Sequence, residues 1–110
     1  MERVVESISR HIESRAPDFL KALNKICIKH YSKNCVELFI EEPEKLRDLL
    51  LKYNDTPTAK FIIKHLFIQP TVRGAGKENC LETLSQLFIE DTKKFKEELQ
   101  KTIQNTQQKT

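Results

Sequence analysis

Cys27 and His30 stand three residues apart, and Cys35 follows soon after. On a helix that spacing puts a thiol and an imidazole on one face, the start of a zinc site with His65 or Cys80 as distant ligands. A structural zinc site normally shows two tight ligand pairs, and this chain offers one. The plainer reading puts Cys27 in the core and His30 at a helix end, where the dipole favours a cation. The acid pairs Glu41-Glu42 and Glu90-Asp91 have the residue types of a general acid–base dyad, but each falls just before a helix start. Negative charge is stabilising there without any catalysis. Only three histidines are present, and no serine–histidine–acid pattern accompanies them. The expectation is a non-enzymatic chain with no catalytic, metal or cofactor site.

Two basic features remain. Lys21, Lys25, Lys29 and Lys33 recur every four residues, so a continuous helix would line them along one ridge. Such a ridge suits phosphates or an acidic protein face. It equally suits a solvated face relieved by acids from another helix, such as Glu41, Glu42 and Glu44. The second feature is Arg73-Gly74-Ala75-Gly76-Lys77, which holds both glycines of the chain. Glycines and basic groups before a helix can cradle an anion. A phosphate-binding P-loop is excluded, because its first glycine is misplaced here, Glu78 replaces the hydroxyl residue, and a helix precedes. The candidate anion or nucleic-acid contacts are therefore Lys21, Lys25, Lys29, Lys33, Arg73 and Lys77.

These residues must be positioned by helices. Val4, Val5, Ile8 and Ile12 space a first amphipathic helix over 3–14. Pro17 starts a second over 18–31, with Phe19, Leu20, Leu23, Ile26 and Cys27 inward. After a turn at Ser32-Lys33-Asn34, Leu38-Phe39-Ile40 closes a short helix. Pro43 opens the next, where its missing N–H is harmless, and Leu46, Leu49, Leu50 and Tyr53 form its stripe. Thr56-Pro57 reads as a cap and first turn for a helix over 57–68, apolar around much of its circumference and so the candidate for the most buried one. Gln69-Pro70 is expected to end it, leaving Thr71 to Glu78 irregular. Residues 79–104 are predicted helical, with a break at Asp91-Thr92 as an option. Inward positions there are Leu81, Leu84, Phe88, Phe95, Leu99 and Ile103. Ser85 and Thr92 interrupt that near-heptad seam and weaken any free-standing coiled coil. Phe88, Phe95, Leu99 and Ile103 are the candidate interface if the last helix pairs with a second copy.

At 110 residues the chain is long enough for one self-sufficient core. With 38% hydrophobic and 32% charged residues, it fits a well-solvated helical domain. Two glycines are too few for a turn-rich β-sandwich or barrel. No apolar run approaches a membrane span, and charged residues interrupt any leader-like core in the first 20 positions. Three cysteines without a close pair read as reduced thiols in a cytoplasmic protein. The net charge of +3 permits an acidic partner without demanding one.

Leu87-Phe88-Ile89-Glu90-Asp91 repeats Leu38-Phe39-Ile40-Glu41-Glu42. Thr92 stands for Pro43, and Phe95 and Leu99 for Leu46 and Leu50. The match is either a duplicated helix-turn-helix unit or chance likeness between amphipathic helices. Pro43-x-x-Leu46-x-x-Leu49-Leu50-x-x-Tyr53, followed by Ala59-x-x-Ile62-Ile63-x-x-x-Phe67, resembles small all-helical archaeal domains of unknown function, some of them presumed output modules of signalling proteins. The resemblance covers about a quarter of the chain, and Asn54-Asp55 stands where that pattern has a glycine. It implies an interaction role and assigns no functional residue. The expected molecule is all-α, a single compact bundle of five to six helices over 1–104 with a polar tail at 105–110. Its expected role is a protein-interaction or regulatory module whose partner is another protein or a second copy. Nucleic-acid binding through the lysine ridge and the Arg73–Lys77 loop is the alternative.

Overall fold

The computed structural model describes residues 2–108, and side chains over 3–103. Among the described residues every regular element is helical, and seven helices form one globule. They are α1 (Glu2–Arg15), α2 (Pro17–Tyr31), α3 (Cys35–Glu41), α4 (Pro43–Tyr53), α5 (56–75), α6 (Leu81–Glu90) and α7 (Thr92–Gln108). The all-α expectation holds, but the count of five to six is too low. The break at Asp91 is complete, so the last helical region is two helices. The helix of the last segment also continues past 104, through Gln108. The side chains of the predicted polar tail, 105–110, lie outside the described residues.

Three of the helix junctions use the same one-residue corner. Ala16 (φ −150°, ψ 67°) joins α1 to α2. Glu42 (φ −140°, ψ 67°) joins α3 to α4. Asp91 (φ −152°, ψ 84°) joins α6 to α7. In each, the corner N–H still closes the preceding helix, to Ile12, Leu38 and Leu87 carbonyls at 2.6, 2.8 and 2.7 Å. The corner's extended φ then turns the chain. Proline follows two of the corners, at a position where its missing N–H costs nothing and its fixed φ suits a helix. The pair of similar segments thus share a backbone joint as well as their letters.

The helix expected to stop at Gln69-Pro70 does not stop there. It runs from Thr56–Ile62 through a π-helical segment, Ile63–Ile68, into Gln69–Ala75. Pro70 explains the wider register. A proline ring clashes with the carbonyl four residues back, and widening to i→i+5 bonds relieves this. The Gln69 N–H accordingly goes to the Lys64 carbonyl. That leaves the His65 carbonyl with no backbone donor, since its i+5 residue is Pro70. His11 of α1 supplies one, with Nε2 donating to His65 O at 3.0 Å. The irregular segment shrinks to Gly76-Lys77 and a 3₁₀ turn at Glu78–Cys80. The N-terminal cap is also one residue earlier than expected: the Asp55 carboxylate, not Thr56, accepts the Thr58 N–H at 2.9 Å.

Helix α5 sits in the middle, against α1, α4, α6 and α7, while α2 packs chiefly on α1 and α3 at the periphery. The core centres on four rings from four helices. Phe39 lies 5.2 Å from Phe67, 6.2 Å from Phe88 and 5.6 Å from Phe95, centroid to centroid. Phe88 meets Phe95 edge-on at 5.2 Å, within the favoured range for aromatic pairs. Ser85, on the seam of the last region, is buried, and its hydroxyl donates to the Leu81 carbonyl at 2.7 Å. Thr71 does the same to Phe67 O at 3.0 Å. No buried side-chain polar atom among the described residues lacks a partner.

Candidate functional site

The lysine ridge is built on α2. Only Leu23 and Cys27 of this helix are fully buried, so most of its circumference faces solvent. Lys21, Lys25 and Lys29 are all exposed, and none of them forms an ion pair among the described residues. Lys33 does not continue the row. The helix ends at Tyr31, Ser32 turns left-handed (φ 59°), and Lys33 is redirected. It donates to Glu42 at 3.1 Å and lies 3.8 Å from Glu41. That contact raises the Lys33 pKa, chiefly through the Glu42 hydrogen bond. Glu42, held also by Lys45 at 2.7 Å, stays below the usual carboxylate range. So, of the four ridge lysines, Glu41 and Glu42 relieve only Lys33, and the ridge has three members rather than four. Its N-terminal end is further diluted, because Lys21 shares a surface depression with Glu13 and Asp18. The unrelieved stretch is Lys25 to Lys29.

Ile28 lies in that stretch and is 54% exposed. Sequence reading passed over it, since the inward stripe ends naturally at Cys27. Only the burial of Leu23 and Cys27 fixes which way the helix is turned. Tyr53 and Phe61 are exposed too, at 58% and 64%, although Tyr53 falls on an expected stripe and Phe61 on the helix expected to be apolar around much of its circumference. For α5 the buried line is Ala59, Ile63 and Phe67, joined by Ile68 through the π register. Phe61 is left outside, stacked on His65 at 4.5 Å between centroids.

The candidate interface on the last helical region is overturned as a free surface. Phe88, Phe95 and Leu99 are wholly buried and Ile103 is nearly so, all within one hydrophobic cluster of this chain. α7 packs on α3, α4, α5 and α6, and these side chains are taken up inside the chain's own core. Arg73 is exposed on the last turn of α5, and Lys77, half-buried, lies in the short connector between α5 and α6. The structure therefore does not bring them to α2 as part of one cradle.

The other chemistry-bearing residues have structural posts. Asp91 accepts the Lys94 N–H at 3.1 Å and so caps α7. Cys27 and Cys35 are fully buried, and desolvation pushes their thiols up to about 11 and about 12. Neither offers the low-pKa thiolate that nucleophilic or metal chemistry uses. His30 is exposed, away from the core that holds the two thiols. Among the described residues, no group of three or more His, Cys, Asp or Glu is placed to hold a metal ion. Nor, among the described residues, is any helix long and apolar enough to cross a membrane. Compared with family models, with curated proteins and with solved structures, the chain matches none.

Proposed function

We propose that the chain is a non-enzymatic protein-interaction module that engages an acidic protein partner through the outer face of α2. Ile28 is the apolar anchor, and Lys25 and Lys29 are the charged groups beside it. The observation that carries this reading is the exposed isoleucine set in an unpaired lysine row. Burying such a side chain against a partner is worth up to about 1.5–3 kcal/mol. Flanking lysines steer an acidic surface and set the register of docking. Phosphate-backbone binding would need the lysines but not the isoleucine. The resemblance of 43–67 to presumed signalling output domains points to the same class. The free thiols Cys27, Cys35 and Cys80 suit a reducing compartment such as the cytoplasm.

The test is a titration of the chain with two probes across a salt series. One probe is a synthetic amphipathic peptide with glutamates flanking a leucine stripe. The other is a short nucleic acid, duplex and single-stranded. Binding of the peptide that falls about tenfold with Ile28→Ser, and again with Lys25→Glu plus Lys29→Glu, is the expected result. Nucleic-acid binding that drops steeply with salt and ignores Ile28→Ser would move the function to the alternative. Failure of both probes would remove α2 as a docking face.

A further inference from the structure

A second concave surface lies between α1 and the C-terminal half of α5, away from the α2 lysines in both sequence and lining. Its deeper part, about 240 Å³, is lined by Val4 and Ile8 of α1, Pro70 and Gly74 of α5, and Ile103 of α7. Arg3 and Ser7 edge this part. Ser7, Pro70 and Gly74 also line an adjoining shallower depression, whose other walls are Arg10, His11 and Arg73. The two make one groove with an apolar floor and a basic mouth. Arg10 shares its charge with Glu6 at 2.5 Å. Arg3 and Arg73 are exposed and form no ion pair among the described residues.

Gly74 is the second observation. It lies inside a helix without positive φ, so nothing in the backbone requires a glycine. A glycine there weakens the helix relative to alanine. A Cβ at this position would meet no atom within 4 Å, so packing does not require it either. What the missing side chain does is keep the wall shared by both parts of the groove low.

We infer that this groove binds a small amphiphile with one anionic head, specifically an aliphatic carboxylate. The tail lies against Val4 and Gly74, above the buried Ile8, Pro70 and Ile103. The carboxylate meets Arg73, whose planar fork matches it in bidentate fashion. The volume falls just below the range of sites for drug-sized ligands, which fits a single narrow tail.

Decanoate below its micellar concentration, titrated calorimetrically into the full chain, is the probe. Saturable one-to-one binding is expected, weakened about tenfold or more by Arg73→Glu. Gly74→Leu is the variant that protects the test from misfolding: leucine is a strong helix former, so the fold should hold while its side chain fills the groove. It should abolish binding. Acetate, which has the head without the tail, and decyltrimethylammonium, which has the tail with the opposite charge, should not bind measurably. Absence of decanoate binding, or binding untouched by Gly74→Leu, overturns the proposal. So does equal binding of the cationic amphiphile. Co-sedimentation with phosphatidylglycerol vesicles without decanoate binding would assign the basic groups to a membrane surface and would likewise overturn it.

Discussion

The contact between His11 and the His65 carbonyl shows how one residue can make an irregular helix tolerable. A carbonyl only accepts, so the His11 Nε2 carries a proton. It does so in one neutral tautomer and in the imidazolium alike, so the contact does not depend on the charge of the ring. Removing the donor leaves the His65 oxygen with neither its helix partner nor a side chain. His11→Ala is therefore expected to cost about 1–3 kcal/mol, the usual penalty for orphaning a partly buried acceptor. His11→Gln, which keeps an N–H donor on a flexible stem, should recover part of the loss. Urea denaturation of the three proteins measures both steps. A His11→Ala variant as stable as the parent would show that the carbonyl finds water at no cost.

At the scale of the element, the two glycines should answer oppositely to the same substitution. Gly74 has ordinary helical geometry and open space around it. Gly74→Ala is expected to stabilise by about 0.5–1 kcal/mol. Gly76 ends α5 with φ 68°, donating to Arg73 O and Val72 O as the left-handed cap. Gly76→Ala is expected to destabilise by about 1 kcal/mol, because a Cβ is strained in that region. Thermal unfolding of the pair reads the signs directly, and two shifts in one direction would contradict the helix assignment at 69–75. This stretch also marks where the sequence stops being legible. Pro17, Pro43 and the acid pairs announce their corners, because each has a local reason to sit at a helix start. Pro70 carries the same local signal and means something else. Its clash is absorbed by a π register and its orphaned carbonyl is capped from α1, a residue 54 positions away in sequence. No local pattern carries that contact. The same limit applies to the candidate sites. The Lys25–Lys29 spacing is visible in the letters, whereas the departure of Lys33, the exposure of Ile28 and the groove at Gly74 depend on how the helices are turned and joined.

For the whole molecule, the question is what binds seven short helices into one unit. Several are too short to persist alone in water, so packing must hold them. The corners at Glu42 and Asp91 bring Phe39 and Phe88, the matching residues of the two similar segments, to within 6.2 Å. Phe67 and Phe95 complete the cluster from α5 and α7. Phe39 touches all three other rings, so cutting it back opens a cavity that no single helix can collapse to fill. Phe39→Ala is expected to cost about 3–5 kcal/mol, a large share of the roughly 5–15 kcal/mol that holds a small domain together. Phe61, of the same residue type but 64% exposed, serves as the control. Phe61→Ala should fall within about 0.5 kcal/mol of the parent. Denaturation midpoints compare the two. Phe39→Ala should lower the midpoint steeply with a single cooperative transition, because four of the seven helices meet in the cluster. A second transition would instead divide the molecule between the two corners, and comparable losses at Phe39 and Phe61 would remove the ring cluster from the centre of the fold.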